Sequence, residues 1–166
     1  MTSIRTLLIR ALQSKDSTEL LQSALHSETT FYCSFQRDLK RATHEVIIES
    51  PFIACKRTET LLPIFRKLTK KGVAVRINTR NPRHHERDLQ IQAWQSIKKL
   101  RQVGVKVKFY DDMRHRKLAV IDRTILWEGS LNILSQSYSK EVMRRTNSPE
   151  LASQMVRFTG MNRWKW

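Results

Sequence analysis

Three short apolar runs, separated by amphipathic helical segments that end at glycine, constrain this chain more than any other feature. Val46-Ile47-Ile48-Glu49, stopped at Ser50-Pro51, has the character of a buried strand. Thr58 to Lys71 carries Leu61, Phe65 and Leu68 at helical spacing and meets Gly72 at its end. Val73 to Asn78 reads as the second strand, and Asn81-Pro82 as a turn. Arg87 to Gln102, with Ile91, Trp94, Ile97 and Leu100, reads as a helix ended by Gly104, and Val105 to Tyr110 as the third strand. Alternation of this kind joins parallel strands through right-handed crossovers. The fold class it predicts is α/β: a mostly parallel mixed sheet flanked by helices on both faces.

The remaining elements follow from local signals. Ser17 to Leu25 reads as a helix capped by Ser17, and Thr30 to Ala42 as another. Lys117 to Asp122 and Thr124 to Trp127 read as short strands that meet at an Asp122-Arg123 bend. A helix is predicted from Leu134 to Arg145, and a last one from Ser148-Pro149-Glu150, where serine caps and proline suits the first turn. The 166 residues fit one domain over 26–166 with a helical extension over 1–25. Within that extension, Met1 to Lys15 sets Arg5, Arg10 and Lys15 among leucines, as in a packed N-terminal helix or an amphipathic surface helix. No run of about 18 apolar residues exists, so stable membrane insertion is not expected. Cys33 and Cys55 form no CxxC pair, which fits a reduced, cytoplasmic setting.

Charge narrows the partners. Lys and Arg number 31 against 15 Asp and Glu, a formal net charge of +16. Such an excess is tolerated when the partner is a polyanion: nucleic acid or an anionic membrane.

The chemistry concentrates in eighteen residues, from His115 to Asn132. His115 and Lys117 stand two apart on a strand and share a face, while Asp122 points to the other. A neutral imidazole attacks phosphorus or carries a proton near neutral pH, and an ammonium beside it stabilises charge on phosphate oxygens. Gly129-Ser130-Leu131-Asn132 adds a glycine for close backbone approach and two short hydrogen-bonding side chains, where a strand is predicted to give way to a helix. The pattern His-x-Lys, four residues, Asp, six residues, Gly-Ser-x-Asn resembles the signature of the phospholipase D superfamily at every defined position.

That resemblance implies a set of roles. His115 is the nucleophile of a phosphohistidine intermediate, and Lys117 and Asn132 bind the phosphate. Ser130 shapes the site, Asp122 is mainly structural, and Glu141 is the candidate acid that orients the histidine. No metal and no cofactor are implied. The superfamily uses a second His-x-Lys histidine to protonate the leaving oxygen, and this chain has one copy. His26, His44, His84 and His85 all lack the pattern, with His84-His85 read as a turn or surface pair. A homodimer is therefore implied, as in the Nuc-like endonucleases that the single motif resembles most. The stretch Leu126 to Leu134, with Glu141-Val142-Met143, also resembles phospholipase D domains attached to some DNA helicases.

The motif does not choose among phosphodiesters. Arg76, Arg80, Arg83 and Arg87 gather near a strand end, and Arg114 and Arg116 flank His115. These are candidates for backbone-phosphate contacts, unless Glu86, Asp88, Asp111 and Asp112 pair with them. Ser50 and Phe52, at the end of the first predicted strand, are positioned to line the cleft. The tail from Arg157 to Trp166 mixes cations with aromatics, suited to stacking on bases, to a lipid interface or to core and dimer packing. DNA is the expected substrate. A phospholipid hydrolase and a non-catalytic DNA-binding domain of helicase-type origin stand as the alternatives.

Overall fold

The computed structural model describes residues 22–136 and 138–163. Its elements run β1 (Ser23–Ser27), α1 (Phe31–Arg41), β2 (Glu45–Glu49), α2 (Cys55–Lys70), β3 (Ala74–Arg80), a 3-10 turn (Pro82–His84), α3 (Arg87–Gln102), β4 (Lys106–Tyr110), β5 (Leu118–Ile121), β6 (Ile125–Gly129), β7 (Val142–Asn147) and α4 (Pro149–Thr159). The strands form one seven-stranded sheet in the order β1-β7-β6-β5-β2-β3-β4.

The predicted crossover unit is present: β2, β3 and β4 are parallel, and α2 and α3 connect them. Gly72 and Gly104 close those helices at φ of 84° and 87°, a conformation costly for residues with a Cβ. The other four pairings are antiparallel, so the sheet is mixed and mostly antiparallel rather than mostly parallel. The cause lies downstream: β5 and β6 form a hairpin on the β2 edge, and the chain then folds back as β7 and β1.

β7 occupies part of the segment read as a helix from Leu134 to Arg145. Met143 is buried against Trp127 and Phe31 in the core, and Arg145 forms a two-point ion pair with the buried Asp38. Pairing on both edges and these anchors outweigh helical spacing. Of the predicted Ser17 to Leu25 helix, residues 17–21 lie outside the described residues, and Ser23 to Leu25 belong to β1. The Met1 to Lys15 stretch is likewise outside them.

Helices cover both faces, unequally. α1, α2 and α3 bury Phe31, Phe35, Leu61, Phe65 and Ile97 against one face. α4 alone seats Ala152 and Val156 on Ile47, Val120 and Leu126 of the other. Its cap is as predicted: the Ser148 hydroxyl accepts from the Leu151 amide at 3.2 Å. Among the described residues, no helix is long and apolar enough to cross a membrane.

Candidate active site

β5 is entered from Asp111–Lys117, a stretch outside the strand ladder, and β6 leaves beside it. His115, Lys117, Glu128, Gly129, Ser130, Asn132 and Glu141 meet there around a cavity of about 520 Å³. His115 is exposed, whereas Lys117 is only 8% exposed. Lys117 Nζ lies 2.6 Å from His115 Nδ1 and donates to the His115 carbonyl at 2.6 Å. Burial, then the charges of Lys117 and Arg80, push the His115 imidazole below its ordinary pKa and so hold it neutral. Burial also lowers the Lys117 ammonium, with Glu141 opposing it. A neutral imidazole beside a cation is the pairing that attack on a phosphodiester needs.

Asn132 follows the end of β6, and its Oδ1 is buried without a partner. Gly129 is dictated by the ladder, since a Cβ there would collide with the Val142 carbonyl oxygen and lie 2.9 Å from Met143 Cα. Ser130 splices β6 to β7. Its amide donates to the Val142 carbonyl at 2.9 Å, and its hydroxyl accepts from the Val142 amide at 3.1 Å. The helix predicted to follow Asn132 is absent among the described residues; a turn over 133–135 leads on toward β7.

Glu141 reaches the same cavity, but its carboxylate accepts from Ser139 Oγ at 2.7 Å rather than from His115. Asp122 sits at the β5–β6 turn on the far side. Its carboxylate accepts from the amides of Thr43, His44 and Glu45 and from the Thr43 hydroxyl.

The residues flanking the histidine are already paired. Arg116 donates to Glu49 Oε1 at 2.7 Å, and Arg114 grips Asp112 with two bonds and approaches Glu49 at 3.5 Å. Ser50 is fully buried, with its hydroxyl donating to the Phe52 carbonyl and accepting from the Leu134 amide. It shapes the loop after β2 and does not face the cleft. Phe52 does reach the site, since its ring meets His115 edge to face at 5.9 Å. Arg80 lies over Phe52 at 5.6 Å, while Arg83 is exposed on the 3-10 turn. Arg76 pairs with Glu45 within the sheet.

Sequence reasoning missed three groups here. Glu128 lines the cavity wall but sits outside the motif's defined positions. Glu49, 1% exposed, anchors Arg116 from the end of a strand read only as buried, with no role given to its carboxylate. His85, read with His84 as a turn or surface pair, does follow a turn, but it packs on Phe52 at 5.0 Å, while His84 binds Asp111.

Residues 35–161 match the family model described as cardiolipin synthase, PLD-like domain. Among solved structures, Nuc from Salmonella typhimurium, a phospholipase D family member, aligns at a TM-score of 0.65 and 16% identity, over 82% of this chain and 91% of that one. NucT from Helicobacter pylori aligns at 0.66 and 18%, over the same shares, 82% and 91%. Phosphatidylserine synthase from Haemophilus influenzae aligns at 0.65 and 13%, over 85% of this chain and 38% of that one. Similarity at these identities establishes the shared fold. No curated protein sequence matches the chain.

Proposed function

The chain belongs to the phospholipase D-like family, and from that premise we propose that it is a metal-independent nuclease that acts on DNA through His115. The observation that carries this reading is the joint placement of His115, Lys117 and Asn132 on one cavity, with Lys117 Nζ 2.6 Å from the imidazole.

In this reading His115 attacks the phosphorus of the diester. A P–N bond forms, the P–O bond to the leaving group breaks, and the leaving oxygen takes a proton from the His115 of a second copy. That histidine, now neutral, takes a proton from water, which cleaves the phosphohistidine and frees the first imidazole. Lys117 and the Asn132 amide hold the phosphate oxygens, and the ammonium offsets the charge that builds on them. Glu141 orients the histidine once substrate draws it off Ser139. The net charge of +16 supports a polyanionic substrate.

The test is incubation of wild type and His115→Ala with single- and double-stranded DNA in EDTA, with anionic phospholipid vesicles as a parallel substrate. Wild type cleaves DNA in chelator, and the variant loses cleavage while keeping its melting temperature. Because the mechanism needs one His115 neutral and the second copy's His115 protonated, kcat/KM follows a bell-shaped pH profile: it falls on the acid side, below the ordinary 6.5, as the nucleophilic imidazole takes a proton, and on the alkaline side as the acid loses its own. Cleavage that survives in His115→Ala overturns the mechanism, and hydrolysis of lipid but not DNA overturns the substrate.

A further inference from the structure

Most arginines on the sheet strands and their flanking loops are held by carboxylates. Arg114 and Arg116 are held by Asp112 and Glu49, Arg76 and Arg123 by Glu45, and Arg145 by Asp38. Arg80 is not held in this way. Among the described residues no carboxylate forms an ion pair with it, and its guanidinium reaches only the Met113 sulfur, at 3.5 Å. Its Nε is buried with no acceptor. A half-buried guanidinium with an unused donor is unfavourable until an anion arrives.

Its position says which anion. Arg80 ends β3, at the carboxyl edge of the parallel strands, where open α/β sheets take their ligands. It lies 5.6 Å from the centroid of the Phe52 ring, and the same ring meets His115 at 5.9 Å. An apolar ring thus touches both the nucleophile and an unpaired cation. His85 packs on that ring too, and burial followed by the charges of Arg80 and His84 hold it neutral, so it offers ring surface rather than charge.

We infer that Arg80 and Phe52 form a second phosphate subsite, in which Arg80 binds the phosphate that flanks the scissile one on a nucleic acid strand and the Phe52 ring carries the intervening base or sugar. The inference rests on the reading of His115 as nucleophile only for the word scissile; the subsite itself stands on geometry. Aromatic rings beside cations suit a strand whose bases are free to stack. A lipid with two phosphates offers the same anion, but its chains need an apolar trough. The 3-10 turn that follows Arg80 instead exposes Arg83 and His84.

Binding and turnover are measured separately. With turnover blocked by His115→Asn, a labelled oligothymidylate is titrated over a salt series, with and without Arg80→Gln. The added substitution weakens binding and lowers the slope of log K against log salt by about 0.7, the value for one single-strand phosphate contact. Phe52→Leu in the same background weakens binding and leaves the slope unchanged. In the otherwise native protein, adding a flanking phosphate to a thymidine dinucleotide raises kcat/KM, and Arg80→Gln abolishes that gain.

An unchanged slope and affinity in the Arg80 variant, with its melting temperature retained, overturns the subsite. So does a loss seen only on anionic lipid vesicles. A reduced slope in a chain that cleaves no diester leaves the subsite standing and sinks the His115 mechanism. Robust cleavage with an unchanged slope does the reverse.

Discussion

At the scale of single residues, Asp122 and Glu49 show how little of the site's charge is free for substrate. Asp122 accepts four hydrogen bonds from Thr43, His44 and Glu45, at 2.8 to 3.0 Å, which pin the turn before β2 to the β5–β6 hairpin. It does so from φ of 50°, a region Asp tolerates better than most residues. Burial pushes the carboxyl up, but the bonds from Glu45, Thr43 and His44 outweigh it and hold the group below its ordinary value. A depressed folded-state pKa contributes stability above the unfolded value of about 3.9, and that contribution fades as pH falls through the folded value. Asp122→Ala therefore costs about 1–3 kcal/mol at neutral pH, because three backbone amides and the Thr43 hydroxyl lose a charged acceptor. Urea melts across a pH series check this: the gap between wild type and variant stays constant down to about pH 4 and narrows below it. Glu49 plays the matching part inside the sheet, where its Oε1 takes Arg116 and steadies the strand entry next to the histidine.

At the scale of elements, the catalytic end of the fold depends on how closely β6 and β7 approach. Gly129 faces Met143 across that ladder, and the glycine leaves room for the Val142 carbonyl. Gly129→Ala must push β7 away or break the Ser130 splice, and a shift of either carries Asn132 off the cavity. We expect a loss of about 3 kcal/mol or more, typical of overpacking against backbone, read as a lowered urea midpoint. Activity should fall further than the unfolded fraction explains. This pair of strands also marks where legibility in the sequence stopped. The β2-α2-β3-α3-β4 unit was readable because the first two strands end at proline-containing turns and each helix carries its own periodicity and glycine stop. β7 carries neither. Val142-Met143-Arg144-Arg145 becomes a strand only because β1 and β6 flank it and Asp38, far away in sequence, binds Arg145. The motif placed His115, Lys117, Ser130 and Asn132 near one another through fixed spacing. Arg80, Phe52 and His85 were brought to the same edge by tertiary structure, which spacing does not encode. The sequence offered Asp112 as a partner and Arg114 takes it, whereas the Glu49 that holds Arg116 follows three apolar residues on β2 and was not foreseen as one.

At the scale of the whole molecule, one His-x-Lys motif per chain makes catalysis, in the proposed mechanism, a property of two copies. The cavity at His115 opens to solvent and holds one such histidine, while the proposed reaction needs a second to protonate the leaving oxygen. In a twofold dimer each histidine serves a single shared site, so replacing one removes either the nucleophile or the acid. Mixed dimers of wild type and His115→Ala should then be inactive, and activity should follow the square of the wild-type fraction. Co-refolding equal amounts of the two chains leaves about a quarter of the activity, whereas independent protomers leave about half. The comparison needs no structure of the dimer, only a tagged series of mixing ratios and a check that both chains refold equally. A linear dependence would mean that each protomer finds its acid within itself. Glu128 and Glu141 on the cavity wall are the groups to replace next in that case. A squared dependence ties the charge of +16 to function as well. Two such chains repel each other strongly, and a polyanion laid across the shared site relieves that repulsion, so added DNA should shift the monomer–dimer balance toward the dimer at low salt.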